Sequence, residues 1–453
     1  MTRKGENAHE ALVEELKTLL AQQEWQRIRA RFDATLDADF ADAVEHLSEK
    51  ELRAIFSALD AQDAADVVEE LEPEAQSAVV EALAPEVMSG ILDEMQSDEA
   101  ADLIGDLPPE EAEQLLGLMD TAEARDVREL LQYGEETAGG IMATEFIALN
   151  RHLTAQEVID RLRALEPDAE APYYLYVIDE QGRLLGVLSL RQLLVAPPHR
   201  RIGEIMSTSV VKVGVHEDQE EVVQLMKKYN LLALPVVDEE GQLVGVVTHD
   251  DAMEVLEQEV EEDLYALAGT SEETERERSP FLLAARRMQW IVMGLVGELI
   301  AGRIIAGYQH RLAAMLSLGF FIPVVMATGG YVASQSFATI IRGLATGELR
   351  ARTLGGGLLR ESVVGVLIGL ASGLLVGLAA QVWVGEPILG LIVGSSLSLV
   401  AVFAAVSGTL VPLIFHWLHK DPALASGPFI QTLNDATGMA IYFTLASVWL
   451  RGA

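Results

Sequence analysis

The 453-residue chain contains no cysteine, which excludes disulfide bonds and thiolate metal sites. Its first twenty residues also lack the continuous apolar core that a cleaved signal peptide needs, so we expect the N-terminal part to stay in the cytoplasm. No Walker loop, no nucleophile paired with a base and no histidine-rich metal motif is visible in the sequence. The sequence therefore argues against an enzyme.

Basic residues are scarce, since 32 Lys and Arg stand against 70 Asp and Glu. The first 280 residues hold 64 of the acids and 22 of the basic residues, which is a net charge of −42. A surface this negative repels nucleic acid, so we predict no nucleic-acid partner and expect cations or a basic protein to bind instead. The remaining residues are apolar and nearly neutral, which indicates an acidic soluble region followed by a membrane region.

The acidic region begins with a twelve-residue repeat. Large apolar residues recur at this interval, at Leu47, Leu59, Leu71, Leu83, Met95, Leu107, Met119 and Leu131. A second apolar residue four positions before each one lies on the same helix face, and helix-starting Pro, Asp or Ser residues follow most of them. The pattern predicts an α-helical superhelical domain over residues 1–135, built from short helices that are buried only against their neighbours.

Acidic residues cover the polar faces of these predicted helices. Asp98 and Asp102 are four residues apart and therefore share a helix face, where a divalent cation would offset their repulsion. A solvated acidic face without a bound ion is the alternative explanation.

Residues 136–249 contain two copies of one α/β unit. Asp179, Gly182, Gly186 and Ser189 correspond, at a shift of 59 residues, to Asp238, Gly241, Gly245 and Thr248. Each copy reads as a strand, a glycine turn, a second strand and a capped helix. This pattern resembles a tandem pair of CBS domains. The resemblance implies a regulatory module that binds an adenine nucleotide or ions, and a purely structural module is the alternative.

A connecting segment follows at residues 250–280. Its apolar residues Met253, Leu256, Val260 and Leu264 fall on one stripe, which predicts an amphipathic helix with a dense row of carboxylates on its other face. We expect this helix to transmit a signal between the soluble region and the membrane. The alternative is a charged linker helix.

The all-α region 281–453 contains five predicted membrane spans. They cover roughly residues 288–308, 314–341, 361–384, 387–415 and 427–450, each near the ~20 residues that a bilayer requires. Basic residues are concentrated before the first span and in the loops after the second and fourth. The positive-inside rule therefore predicts a multi-pass protein of the cell (inner) membrane, with cytoplasmic N-terminal domains and the C-terminus outside.

The last span contains a carboxylate, Asp435, with no Lys or Arg between Pro422 and Leu450 to neutralise it. Because an acid at bilayer depth costs several kcal/mol, such residues usually face a partner, a cavity or an ion pathway. We therefore interpret Asp435 as part of an ion pathway. A structural acid, hydrogen-bonded within the bundle or protonated, is the alternative.

The order of these four parts resembles the MgtE family of magnesium channels over essentially the whole chain. The most specific matches in the last span include Asp421, Pro422 and Asp435, and those in the second span include Gly329, Gly330 and Gln335. The resemblance implies a homodimer with a pore on its two-fold axis, so that Asp435 from both copies would select Mg²⁺, while the other matching residues are candidates for lining the pore.

The resemblance also implies regulatory Mg²⁺ sites between the acidic domain, the CBS pair and the connecting helix. The matching carboxylates are Asp98, Asp102, Asp218, Glu220, Asp251, Glu254, Glu259, Glu262 and Asp263.

The chain departs from the family pattern at several positions. Tyr331, Ala333 and Ser334 replace an Asn-Thr-Gly-Asn segment that relatives commonly carry between Gly330 and Gln335, with Val332 at the remaining position. Ala405 lies in a stretch where relatives often have asparagine, and Asn230 stands where some relatives have an acid. We expect the replacements at Tyr331, Ala333, Ser334 and Ala405 to change the polarity of the pore.

These observations predict a Mg²⁺-selective channel for influx that closes when cytoplasmic Mg²⁺ binds its acidic interfaces. An ion-coupled secondary carrier of Mg²⁺, Co²⁺ or Mn²⁺ is the first alternative, although no inverted repeat is evident among the five spans. A membrane-anchored sensor that conducts nothing is the second alternative. An acid in a broken last span argues against such a sensor, because a simple anchor needs neither feature.

Overall fold

A computed structural model describes residues 3–165, 174–271, 274, 279–345, 354–418 and 427–450. Two of the predicted pore residues, Asp421 and Pro422, lie outside these ranges. The chain forms two compact units, Met1–Val255 and Leu256–Ala453.

The first unit begins with ten helices, most of them eight to ten residues long. They are α1 (Arg3–Gln22), α2 (Trp25–Phe32), α3 (Asp37–Val44), α4 (Glu49–Phe56), α5 (Ala61–Glu69), α6 (Pro73–Ala82), α7 (Pro85–Leu92), α8 (Ser97–Gly105), α9 (Pro109–Leu118) and α10 (Glu123–Leu130). From α3 onward each helix packs mainly against the helix two places along, so the odd-numbered and even-numbered helices form two layers. The predicted stack of short helices is confirmed. Of the apolar series at twelve-residue intervals, Leu131 is an exception, since 39% of it is exposed.

Three carboxylates tie this stack together at an interval of 24 residues. The backbone N–H of Glu72 donates to Glu45 at 3.1 Å, that of Gln96 to Glu69 at 2.7 Å, and that of Asp120 to Asp93 at 2.8 Å. Each amide lies just before or at the start of a helix, where backbone donors lack intrahelical partners and the helix dipole is positive. The sequence repeats every twelve residues, whereas this contact recurs every second helix.

The CBS pair forms two three-stranded sheets with the same order. Its elements are β1 (Ala148–Asn150), α11 (Ala155–Leu165), β2 (Tyr174–Ile178), β3 (Leu184–Ser189), α12 (Leu190–Val195), α13 (Ile202–Ile205), β4 (Val213–Gly214), α14 (Gln219–Tyr229), β5 (Ala233–Val237) and β6 (Leu243–Thr248). The first strand of each sheet is parallel to the second, and the second is antiparallel to the third. The predicted tandem α/β units are confirmed.

The segment that opens each CBS unit packs against the other unit. Met142 precedes the first CBS unit, but a Cβ on Gly245 of the second CBS unit would lie 2.5 Å from the Met142 sulfur. Met206 precedes the second CBS unit and packs in the same way against Gly186 of the first CBS unit. A Cβ on Gly186 would lie 2.6 Å from the Met206 sulfur. Both glycines are therefore needed for this close packing, which locks the two units together.

The connecting segment forms α15 (His249–Ala268), and the boundary between the two compact units falls inside it. The predicted helix is present, but its apolar stripe is exposed. Met253, Leu256, Val260 and Leu264 have 38 to 60% of their surface accessible, whereas Ala252 and Val255 are buried.

The second unit continues as a helical bundle. Its elements are α16 (Pro280–Gly307), α17 (Gln309–Ala314), a 3₁₀ turn (Leu316–Phe321), α18 (Ile322–Ala345), α19 (Leu354–Val384), α20 (Pro387–Trp417) and α21 (Gly427–Trp449). Among the described residues four segments are long and apolar enough to cross a membrane: Pro280–Gly307, Leu316–Leu344, Gly355–Val384 and Pro387–Trp417. The fifth predicted span, α21, has 23 residues and is long enough, but it is not among these four because it carries more polar residues.

Helices α19 and α20 approach closely along a row of small residues. A Cβ on Gly373 would come within 2.4 Å of the Gly394 carbonyl oxygen, and one on Gly377 within 2.8 Å of that of Gly390. Ala405 belongs to the same contact, because its Cβ faces Gly365. Such small residues allow two backbones to pack tightly within lipid.

Candidate functional site

Asp435 lies at the centre of α21, on the face that packs into the bundle. Only 2% of Asp435 and 1% of Asn434 are exposed. The Asn434 amide is hydrogen-bonded through both of its polar atoms, since its Nδ2 donates to the Ile430 carbonyl at 2.8 Å and its Oδ1 accepts from Ser407 Oγ at 3.0 Å. The Asn434 side chain is thus fixed by its hydrogen bonds. Asp435, the next residue, is the acid of this helix.

Glu298 on α16 is the acidic neighbour of Asp435, close enough for the two carboxyl groups to interact electrostatically. This pair was not predictable from the sequence, because Glu298 is far from the last helix in the chain and has no periodic relation to it. Its only sequence signal was that it is an acid within an apolar span. The second unit therefore brings together two carboxyl groups where the sequence suggested one.

Helix α18 packs against α20 and α21 close to Asp435, and the contact is made at Gly329 and Gly330. A Cβ on Gly329 would lie 3.1 Å from Val400 and 3.9 Å from Asn434, and one on Gly330 would lie 3.6 Å from Gln431. Two of the predicted pore residues are thus adjacent to the turn that carries Asp435. Gln335, the third, is exposed further along α18.

The departures from the family pattern have different environments. Tyr331 is 70% exposed, and Ser334 is exposed on the same side of α18 as Gln335. Ala333 is fully buried, and its carbonyl oxygen would lie 2.3 Å from a Cβ on Gly408 of α20. Ala333 and Ala405 are therefore helix-packing residues in this chain.

A second group of carboxylates lies in the first unit, where α8 approaches the start of α15. We call Asp98, Glu99, Asp102, Asp251 and Glu254 the acidic cluster. Asp98 is only 6% exposed, and it interacts with Asp251 and Glu99 through repulsion between their charges. Repulsion from Glu254 is in turn the largest effect of a neighbouring charge on both Glu99 and Asp102. The structure thus brings together four of the predicted regulatory residues and adds Glu99.

Ser97, at the start of α8, holds the acidic cluster in place. Its Oγ donates to Glu145 at 2.9 Å and accepts from both the backbone N–H and the hydroxyl of Thr144 at 3.0 Å. Thr144 and Glu145 belong to the segment that enters the CBS pair. These hydrogen bonds connect the helical stack to that pair directly beside Asp98.

The acidic cluster is electrostatically unfavourable without cations or protons. Burial, followed by repulsion from Asp251 and Glu99, raises the pKa of Asp98 well above its ordinary value. Burial and the Glu254 charge raise the pKa of Glu99 to about 9. Burial also raises the pKa of Asp251 to about 6, although hydrogen bonds from Thr248 at 2.7 and 2.8 Å oppose that shift. Each shift means that the folded arrangement resists the charged form.

No three His, Asp or Glu side chains in the described ranges form a preassembled metal site.

The remaining predicted regulatory residues lie elsewhere. Asp218 is exposed and caps α14, where its carboxylate accepts from the Glu220 backbone N–H at 2.9 Å. Glu259 and Glu262 are on the part of α15 in the second unit, together with Asp263, whose side chain is outside the described part of the chain.

Asn230, at a position where some relatives have an acid, determines how helix α14 ends. It ends α14 in a left-handed conformation with φ 51°, which asparagine tolerates better than most residues.

The raised pKa values predict how stability depends on pH when no divalent cation is present. Between the ordinary carboxyl pKa of about 4 and the raised values of about 6 to 9, the folded unit holds more protons than the unfolded chain. Stability should therefore be lost as the pH rises through this window. We expect the unfolding temperature of the full-length protein in chelator to fall between pH 6 and pH 9. The Glu99→Gln variant should show a smaller fall, and an equal fall in both proteins would contradict the assignment.

The comparisons with known proteins cover both units. Residues 322–445 match the family described as MgtE, divalent cation transporter, residues 37–136 match the MgtE intracellular N domain, and residues 138–199 and 202–258 match CBS domains. The chain is 44% identical over 328 residues to a magnesium transporter MgtE of Thermus thermophilus, and 36% identical over 324 residues to one of Bacillus subtilis. Each alignment covers 72% of both chains.

Two solved structures resemble the soluble part. One is the soluble part of a magnesium transporter, with a TM-score of 0.53 and 32% identity, covering 55% of this chain and 99% of that one. The other is the cytosolic domain of the Mg²⁺ channel MgtE in complex with ATP, with a TM-score of 0.51 and 38% identity, covering 54% and 99%. The matches to the intracellular, CBS and transporter regions, together with the 44% identity, establish that the chain is a membrane protein and belongs to the MgtE family of divalent cation transporters.

Proposed function

We propose that this chain is a Mg²⁺-selective channel that mediates influx and closes when cytoplasmic Mg²⁺ binds its acidic soluble region. The observation that carries the proposal is Asp435, a carboxylate with 2% exposure in the last helix of the apolar bundle. In a homodimer with the pore on the two-fold axis, this acid occurs twice. Paired carboxylates around a hydrated ion suit Mg²⁺, reject anions and favour divalent over monovalent cations.

Closing is proposed to use the acidic cluster. A cation held between α8 and the start of α15 would offset the repulsion among Asp98, Asp251 and their neighbours, and so favour the compact arrangement. When cytoplasmic Mg²⁺ falls, repulsion would separate the elements. The predicted roles of Asp218, Glu220, Glu259, Glu262 and Asp263 belong to the same proposal, as does a pore gate near Asp421.

The topology in this proposal places the soluble region in the cytoplasm, lets α21 cross the bilayer as a fifth span and leaves the C-terminus outside. Basic residues near the ends of the other spans support this orientation through the positive-inside rule.

Uptake into liposomes that contain only this protein tests the proposed function. A channel should carry Mg²⁺ down its electrochemical gradient, with a rate that follows the imposed membrane potential and needs no second ion. A requirement for a proton or Na⁺ gradient would instead identify a coupled carrier. If the folded protein is incorporated into the liposomes and passes no divalent ion at any cytoplasmic Mg²⁺ concentration, the channel and the carrier are both contradicted. The membrane-anchored sensor that conducts nothing would then be favoured.

We also propose that the CBS pair binds an adenine nucleotide. Tyr176 supports this proposal, because its hydroxyl is buried without a hydrogen-bond partner among the described residues, and its ring packs with Leu243 and Val246 of the other CBS unit. A buried hydroxyl without a partner is costly, and a ligand would relieve that cost. We expect ATP binding to the full-length protein, measured by calorimetry, to weaken several-fold in Tyr176→Phe. Unchanged affinity would remove Tyr176 from the nucleotide site.

A further inference from the structure

The contact between Glu298 and Asp435 depends on a close approach of α16 and α21. Gly297 precedes Glu298, and a Cβ in its place would lie 1.8 Å from the Thr432 Cγ2 atom, so any larger residue would force Thr432 or the helix to shift. Thr432 and Asp435 are three residues apart and lie on the same face of α21. The glycine therefore brings the two helices together beside Asp435, and it sets Glu298 against that carboxyl group.

The environment of this pair is unusual for two acids. Asp435 is more than nine-tenths buried, whereas Glu298 is exposed on α16, an apolar helix of which only Gly297 and Ala301 are buried. None of the ion pairs between described residues includes either carboxyl group. Two acids held together in an apolar region repel each other unless positive charge lies close to them.

We propose that Glu298 is a specificity-determining residue of the ion pathway, supplying a second carboxylate beside Asp435. The inference rests on the proposed function, and the cation in transit provides the positive charge that the pair lacks. A homodimer then presents four carboxylates at one level of the bundle in place of two. The attraction between a carboxylate and a cation is twice as strong for a divalent ion as for a monovalent ion at the same distance. Each added carboxylate therefore strengthens the preference for divalent over monovalent cations.

The absence of cysteine permits a direct test of whether position 298 faces the pathway. In the full-length Glu298→Cys protein the introduced thiol is unique, so a small cationic methanethiosulfonate reagent should label it and inhibit residual uptake. Mg²⁺ should slow this labelling several-fold. Leu299→Cys is the matched control, because Leu299 is the next residue on α16 and 74% exposed. Its labelling should not respond to Mg²⁺, and labelling of both thiols that is equally insensitive to Mg²⁺ would overturn the inference.

Ion fluxes provide the second test. Glu298→Gln removes the charge at nearly constant volume and should lower the ratio of Mg²⁺ to Na⁺ flux several-fold, while Glu298→Asp should retain most of it. Glu386→Gln makes the same chemical change at an exposed position before α20 and should leave the ratio unchanged. If Glu298→Gln does not fold, the Asp variant and the labelling experiment still decide. A ratio that is unchanged in a folded Glu298→Gln protein would overturn the inference.

Failure of this inference can be distinguished from failure of the proposed function. If Asp435→Asn stops Mg²⁺ uptake and Glu298→Gln behaves as wild type, the channel proposal stands and the role of Glu298 is refuted. If both variants transport Mg²⁺ normally, the pathway does not pass this point and both proposals fail.

Discussion

Asp435→Asn is expected to reduce Mg²⁺ uptake into liposomes at least about tenfold, because a contact to a charged group is worth about 1.5–3 kcal/mol and 1.4 kcal/mol corresponds to a factor of ten. The asparagine retains the volume of the side chain but removes its charge, and a homodimer loses two charges at once. The variant should still fold, because removing a buried negative charge from an apolar bundle also removes the cost of desolvating it.

Two measurements make the Asp435 result decisive. Size-exclusion profiles and unfolding temperatures should match those of the wild type, so that lost uptake cannot be attributed to misfolding. Glu386→Gln provides a neutralised acid in the same unit, and its uptake should be normal. Near-normal Mg²⁺ uptake by the folded Asn variant would rule out Asp435 as the selectivity residue and favour its interpretation as a structural acid.

Neutralising the centre of the acidic cluster is expected to have the second large effect. In the double variant Asp98→Asn and Asp251→Asn, the amides cannot hold a cation as the carboxylates do, so Mg²⁺ loses much of its preference for the closed arrangement. A ligand shifts an equilibrium only by its difference in affinity for the two states, and losing about 1.4 kcal/mol of that difference changes the ratio of states tenfold. The channel should therefore stay open at cytoplasmic Mg²⁺ concentrations that close the wild type.

The control for charge alone is the double variant Glu110→Gln and Glu113→Gln, which removes two exposed acids from α9 outside the cluster. Its closing midpoint should remain within a small factor of the wild-type value. The cluster variant would contradict the bridging proposal if it closed with an unaltered midpoint. Permanent closure without Mg²⁺ would also contradict it, because relieving the repulsion between Asp98 and Asp251 would then suffice to close the channel without any bridging cation.

The periodic parts of this fold were the most predictable from sequence. The helical stack and the doubled CBS unit each repeat a local pattern, in which apolar spacing and glycine turns determine the structure almost independently of distant residues. The packing of Met142 and Met206 against opposite CBS units was not predictable, because the two segments that carry them, residues 141–144 and 205–208, differ at only one position. Only the three-dimensional arrangement shows that each packs against the other CBS unit.

The ion sites were predictable only in part. Asp435 was evident because an acid in an apolar run is costly wherever the helix packs. Glu298 and Glu99 were not, since their significance comes from neighbours on other helices. Ala333 and Ala405 could not be placed from sequence either, because their position in the motif suggested an effect on the pore, whereas the contacts seen for them are with neighbouring helices.

The carboxylate contacts at Glu45, Glu69 and Asp93 constrain how the helical stack can change in length. Because each contact joins a carboxylate to an amide 27 residues later, removing one helix of the repeat would shift every following carboxylate into the wrong layer. Removing a whole pair of helices would restore the match. The next position in the series is Gly117, which has no carboxylate to continue it. Insertions and deletions in this domain should therefore be tolerated in steps of 24 residues. The series of carboxylate contacts ends at Asp93, shortly before the CBS pair begins.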